Sequence, residues 1–141
     1  MLKNNLLKKI AVCYLSLAST FMVGCKKDAE VNQVLSELTS FTKELVLKVE
    51  ATQGSPEGIE AAQQFLDAKK TDLKKKLDLL KGVRGFQISD ATKKTMTDGF
   101  AKNATEVMSL QVKYLVRSAK DASYKTKLEK LVTDYRNLLT A

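Results

Sequence analysis

Few side chains in this sequence could start chemistry. The 141 residues include 2 cysteines and no histidine. Cys13 lies inside an apolar run, and Cys25 follows Gly24 where that run ends. A thiol is the strongest nucleophile available, but no imidazole is present to activate it for acyl or thioester chemistry. Serines and threonines are numerous, yet none sits in a Gly-x-Ser-x-Gly setting. No phosphate-binding glycine loop occurs. The carboxylates are scattered along helical solvent faces, without the spacing of a glycosidase pair. Zinc, haem and di-iron ligand sets need His or paired Cys and are missing. The sequence therefore predicts no enzyme, no metal and no cofactor. A second chemical feature is a run of cations, Lys69, Lys70, Lys74, Lys75, Lys76 and Lys81, extended by Arg84. Such a run can hold an anion.

The elements that must position these residues begin at the N-terminus. Met1 to Lys9 carries Lys3, Lys8 and Lys9, and an apolar run follows from Ile10 to Val23. At roughly 14 residues the run is shorter than the ~20 needed to span hydrocarbon as a helix. It has the length of a signal-peptide apolar region. It closes on Met22-Val23-Gly24-Cys25, not on the small-x-small pattern of ordinary secretory cleavage.

This order of basic start, apolar run and small residue plus Cys resembles the lipobox of bacterial lipoproteins, with Met22 where Leu is usual. The earlier Ile10-Ala11-Val12-Cys13 fits worse, because Val12 is bulky and almost no apolar run precedes it. The resemblance covers residues 1–27 and implies cleavage between Gly24 and Cys25. It also implies a diacylglycerol thioether on the Cys25 sulfur and an acyl chain, such as palmitate, on the new amine. Two or more chains hold stably at about 0.8 kcal/mol per buried methylene. Lys26 and Lys27 would then lie at headgroup level, adding about 1 kcal/mol each on anionic lipid. A Lys rather than an Asp after the lipidated Cys favours the outer membrane by the sorting rule of enteric bacteria. Residues 1–24 are thus expected to be a removed signal, 25–27 an anchor and short tether, and 28–141 the domain.

From Asp28 the apolar residues recur at helical spacing. Val31, Val34, Leu35, Leu38, Phe41, Leu45 and Val49 form a first stripe, ending near a Gly54 suited to a helix C-terminus. Ser55-Pro56-Glu57 is a helix start. The second stripe is Ile59, Ala62, Leu66, Leu73, Leu77 and Leu80, with Phe65 beside it and Lys69 on the seam. The link from Gly82 to Ile88 is apolar for a loop, and Val83, Phe86 and Ile88 are expected to plug one end of the core. The alternative is a partner-binding tip, with Arg84 beside Phe86. Ser89-Asp90 opens a third helix, striped by Met96, Phe100, Ala104, Val107, Met108, Gln111 and Leu115, with Tyr114 at its edge. Asp98-Gly99 predicts a kink or a close crossing there. A break near Lys120-Asp121 precedes Tyr124, Leu128, Leu131, Val132, Tyr135, Leu138 and Leu139. The composition, with 1 proline and no tryptophan, and these stripes predict an all-α antiparallel four-helix bundle. A three-helix arrangement with one long C-terminal helix is the alternative.

Formal charge is +8, falling to +5 once Lys3, Lys8 and Lys9 are removed. The basic run on the second helix is interleaved with Asp67, Asp72 and Asp78 at supportive spacing, which describes a self-paired solvated face. Its aromatics lie on apolar seams rather than among the cations, so nucleic acid is not an expected partner. The expected function is a non-enzymatic interaction or structural module on the bacterial envelope, its partner the membrane through Cys25. The alternatives are a small periplasmic chaperone-like binder, or a surface protein taking anionic lipid or glycan on Lys70, Lys74, Lys75, Lys81 and Arg84.

Overall fold

The structure is a computed structural model describing residues 27–140. Four long helices and one short one account for most of them: α1 (Asp28–Glu50), α2 (Pro56–Lys81), α3 (Asp90–Lys113), α4 (Leu115–Lys120) and α5 (Ala122–Thr140). No strand occurs among the described residues. The fold is an all-α helical bundle.

Helix starts follow the local chemistry of the sequence. The Ser55 hydroxyl accepts from the Gly58 amide at 3.2 Å, with Pro56 in the first turn. The Ser89 hydroxyl accepts from the Thr92 amide at the same distance. Each satisfies a backbone donor that the helix itself leaves unpaired. α1 ends in a turn in which Gln53 and Gly54 both take positive φ (53° and 67°). The Gly54 amide there returns to the Val49 carbonyl at 2.8 Å.

Cross-links between helices give the order around the core. Asp28 meets Ser89, Thr39 meets Asn103 and Glu50 meets Lys113, so α1 and α3 run parallel. Lys76 reaches back to Glu37 at 2.6 Å, so α1 and α2 are antiparallel. Glu60 meets Lys127 near the start of both helices, while Leu77 and Leu80 face Leu138 near their ends, so α2 and α5 are parallel. Direction alternates along the chain as expected. The link over 82–89, however, carries the chain across the diagonal, so α3 lies beside α1 and α5 rather than beside α2. That link is long enough to span the bundle end, whereas the turn between α1 and α2 is not.

The first, second and last stripes are buried as predicted, from Val31 through Val49, Ile59 through Leu80 and Tyr124 through Leu138. Each fully buried Leu, Ile or Val contributes about 1.5–3 kcal/mol relative to exposure. The third stripe is corrected by the structure. Val107, Leu110, Asn103 and Thr92 are buried, Met96, Phe100 and Tyr114 pack partly, and Met108 and Leu115 face outward. The cause is a seam that includes polar positions: Asn103 donates to Thr39 Oγ1 at 3.2 Å and to the Gly99 carbonyl at 2.8 Å. α3 is unbroken at Gly99, and a side chain there would meet Leu35 at an ordinary contact of 3.7 Å, so neither a kink nor a crossing too close for a side chain is present.

The break at Asp121 is present. Its backbone is extended (φ −136°, ψ 105°) and its carboxylate accepts from the Tyr124 amide at 2.9 Å, opening α5. This excludes the three-helix alternative. A second break, at Tyr114, lets its ring cover the turn between α1 and α2 while Arg117 donates to the Gly54 carbonyl at 2.9 Å. In the link before α3, Val83 and Ile88 pack into the core as expected. Phe86 does not. It is 78% exposed, held on the crest of a turn closed by the Gln87 amide to the Arg84 carbonyl and the Arg84 amide to Gln87 Oε1, both 2.8 Å.

Candidate functional site

Met22, Val23, Gly24 and Cys25 lie outside the described residues. What the structure fixes is the place where the segment they belong to joins the domain. Helix begins at Asp28, and the Asp28 carboxylate accepts from the Ser89 amide at 2.9 Å. That bond holds the Asp28 pKa below the ordinary carboxylate value, with lesser help from the Ser89 and Thr92 hydroxyls. The N-terminal segment therefore enters at the bundle end that also carries the link over 82–89 and the C-terminus of α5.

The cation run on α2 separates into paired and unpaired members. Lys70 pairs with Asp67 at 2.6 Å, Lys76 with Glu37 at 2.6 Å and Asp72 at 3.3 Å, and Asp78 serves both Lys74 at 3.4 Å and Lys81 at 2.9 Å. Hydrogen bonding to Asp67 raises the Lys70 pKa and lowers that of Asp67 in return. Asp78 is lowered chiefly by its bond to Lys81. Lys75 and Arg84 form no ion pair among the described residues. The self-paired solvated face read from the spacing of Asp67, Asp72 and Asp78 is thus what forms.

Of the five residues considered for an anion, Lys70, Lys74 and Lys75 line one groove between α2 and α5, of about 470 Å³. Lys81 and Arg84 are not part of it. Thr71, Asp78, Asp134, Asn137 and Leu138 complete the wall, so the groove mixes both charge signs with lysine methylenes. Lys69, on the α2 seam, keeps its side chain exposed.

The sequence reading missed an outward apolar stripe. Met108, Val112, Leu115 and Val116 are exposed at spacings of four, three and one along α3 and α4, with Val112 at 77%. The stripe lies toward the bundle end opposite Asp28. The signal was present as an excess of apolar residues around position 112, but periodicity assigned Met108 and Leu115 to the core because it could not count the polar seam residues Thr92 and Asn103 or show the break at Tyr114. No helix among the described residues is long and apolar enough to cross a membrane. Comparison with known protein families, curated proteins and solved structures finds no match for this chain.

Proposed function

We propose that this chain is a lipid-anchored bacterial envelope protein, held by Cys25 and working as a non-enzymatic helical interaction module. The observation that carries the reading is the ordered series of basic start, apolar run and Met22-Val23-Gly24-Cys25 immediately ahead of the domain. Two structural facts support it. Helix starts three residues after Cys25, which leaves a short tether rather than a stalk. The outward stripe of Met108, Val112, Leu115 and Val116 is the kind of surface interaction proteins carry. Membrane fractionation tests the reading. The full chain sediments with the outer membrane ahead of the inner, whereas Cys25→Ala, which keeps the apolar run over 10–23, stays with the inner membrane. The same distribution of both between the two membranes would refute it.

A second reading, capture of an anionic lipid or glycan, is favoured by one observation: Lys70, Lys74 and Lys75 converge on one groove. It requires binding that weakens with salt and with Lys74→Glu. Salt-independent binding removes it.

A further inference from the structure

We infer that the turn Arg84-Gly85-Phe86-Gln87 is a second membrane contact, with Phe86 seated among lipid headgroups and acyl ends and Arg84 on an anionic headgroup. The inference rests on the lipid anchor proposed at Cys25. A single exposed apolar side chain is ordinary on a protein surface. Here its place and its neighbours give it meaning.

Place comes first. Ser89 is hydrogen-bonded to Asp28, and Phe86 precedes Ser89 by three residues, so chain length keeps Phe86 within about 11 Å of Ser89. Asp28 in turn follows Cys25 by three residues, again a reach of about 11 Å. α1, with 23 residues, is about 35 Å long. A tether that short cannot turn the far end of the bundle toward the bilayer, so the end bearing the 84–87 turn stays at the surface.

The turn itself is built outward. Two hydrogen bonds of 2.8 Å between Arg84 and Gln87 close it, and Val83 and Ile88 anchor its flanks in the core. Phe86 is thereby presented on a fixed crest, where an apolar ring can enter the boundary between headgroups and acyl chains. Charge agrees. At this end the carboxylate of Asp28 is occupied by Ser89 and that of Asp90 by Lys93 at 2.6 Å, while Arg84 has no carboxylate partner among the described residues. Lys27 is itself paired with Glu30 at 2.6 Å, so Arg84 is the cation that this end offers to anionic lipid.

The chain contains no tryptophan, so one introduced tryptophan reports alone. Full-length Phe86→Trp and, as the far-end control, Val112→Trp are expressed with the export segment intact, purified in detergent and reconstituted into phosphatidylethanolamine–phosphatidylglycerol vesicles containing acyl-brominated lipid. Both positions are exposed, so circular dichroism should match the parent for each. The expected result is blue-shifted, bromine-quenched emission for Phe86→Trp and water-like, unquenched emission for Val112→Trp. Adding Arg84→Glu reduces the quenching, and unchanged quenching overturns the role of Arg84. If both variants float with vesicles and both emit as in water, the tip contact is wrong while the anchor stands. A blue shift without bromine quenching means a protein covers the ring, which also overturns the lipid assignment. If neither variant floats, the anchor itself fails, and the tip contact with it.

Discussion

The backbone amide of Ser89 donates to the Asp28 carboxylate at 2.9 Å, joining the first turn of α1 to the start of α3. Two helices far apart in sequence thereby begin at one point, close to the residue proposed to carry lipid. The carboxylate must be ionised to accept well, and its pKa is lowered accordingly. A group whose folded pKa lies below its unfolded value, about 3.9, contributes stability above that value and loses it as pH falls through the folded one. Asp28→Ala is therefore expected to lower stability at neutral pH and to flatten the acid limb of a urea-midpoint profile below pH ~4. An unaltered acid limb would mean the bond carries no stability.

In the core, the Thr42 hydroxyl donates to the Leu38 carbonyl at 2.8 Å, which makes the Tyr135 phenol the donor in the 2.5 Å Thr42–Tyr135 contact. Tyr135→Phe removes that donor and leaves Thr42 bonded, a cost of about 1 kcal/mol. Thr42→Val strands a buried phenol and costs roughly 1–3 kcal/mol. The double variant should recover part of the sum, because neither polar group is then left alone. Strict additivity in chemical denaturation would count against the bond.

Burial also pushes the Tyr135 phenol up to about 12. Its stability contribution is complete below the unfolded value near 10 and is lost as pH rises toward the folded one, up to roughly 3 kcal/mol. Denaturation midpoints should fall between pH 10 and 12, and Tyr135→Phe should reduce that fall. Tyr124, raised by burial, and Lys70, Lys76, Lys113 and Lys127, raised by their carboxylate partners, account for the remainder.

Gly54 holds φ at 67°, and a side chain there would overlap the Tyr114 ring. Gly54→Ala combines left-handed strain with that overlap and should cost about 2 kcal/mol or more. Adding Tyr114→Ala relieves the overlap but not the backbone, so a double-mutant cycle should show positive coupling without full recovery. Thermal melts of the four proteins decide it.

The outward stripe makes a contrasting prediction. Val112→Ser and Val116→Ser should each change stability by no more than ~0.5 kcal/mol, because neither side chain packs on the core. A larger loss in thermal melts would show that the stripe is covered within the folded protein.

Three of the four stripes were legible because their buried positions are almost all apolar, Thr42 being the exception, and Ser55-Pro56 marked where the second begins. The third was not. Asn103 and Thr92 occupy its seam as hydrogen-bonding groups, which a hydrophobic period cannot count, and the break at Tyr114 involves neither glycine nor proline. It exists because the Tyr114 ring and Arg117 reach across to Gly54, a contact between positions far apart in sequence. The diagonal placement of α3 was hidden for a related reason, since a link of that length permits either neighbour. At the site, the aspartate spacing foretold the pairing of the α2 lysines. Val83 and Ile88 were placed correctly, but apolar character alone could not tell that Phe86 turns out while they turn in.

The central claim is the lipid on Cys25, and metabolic labelling with an alkyne fatty acid, read with the intact mass, tests it most directly. The account predicts a labelled chain that has lost residues 1–24 and gained the mass of acyl chains, with both changes abolished in Cys25→Ala. A chain that keeps Met1–Gly24 without label, or one labelled equally in Cys25→Ala, would contradict it.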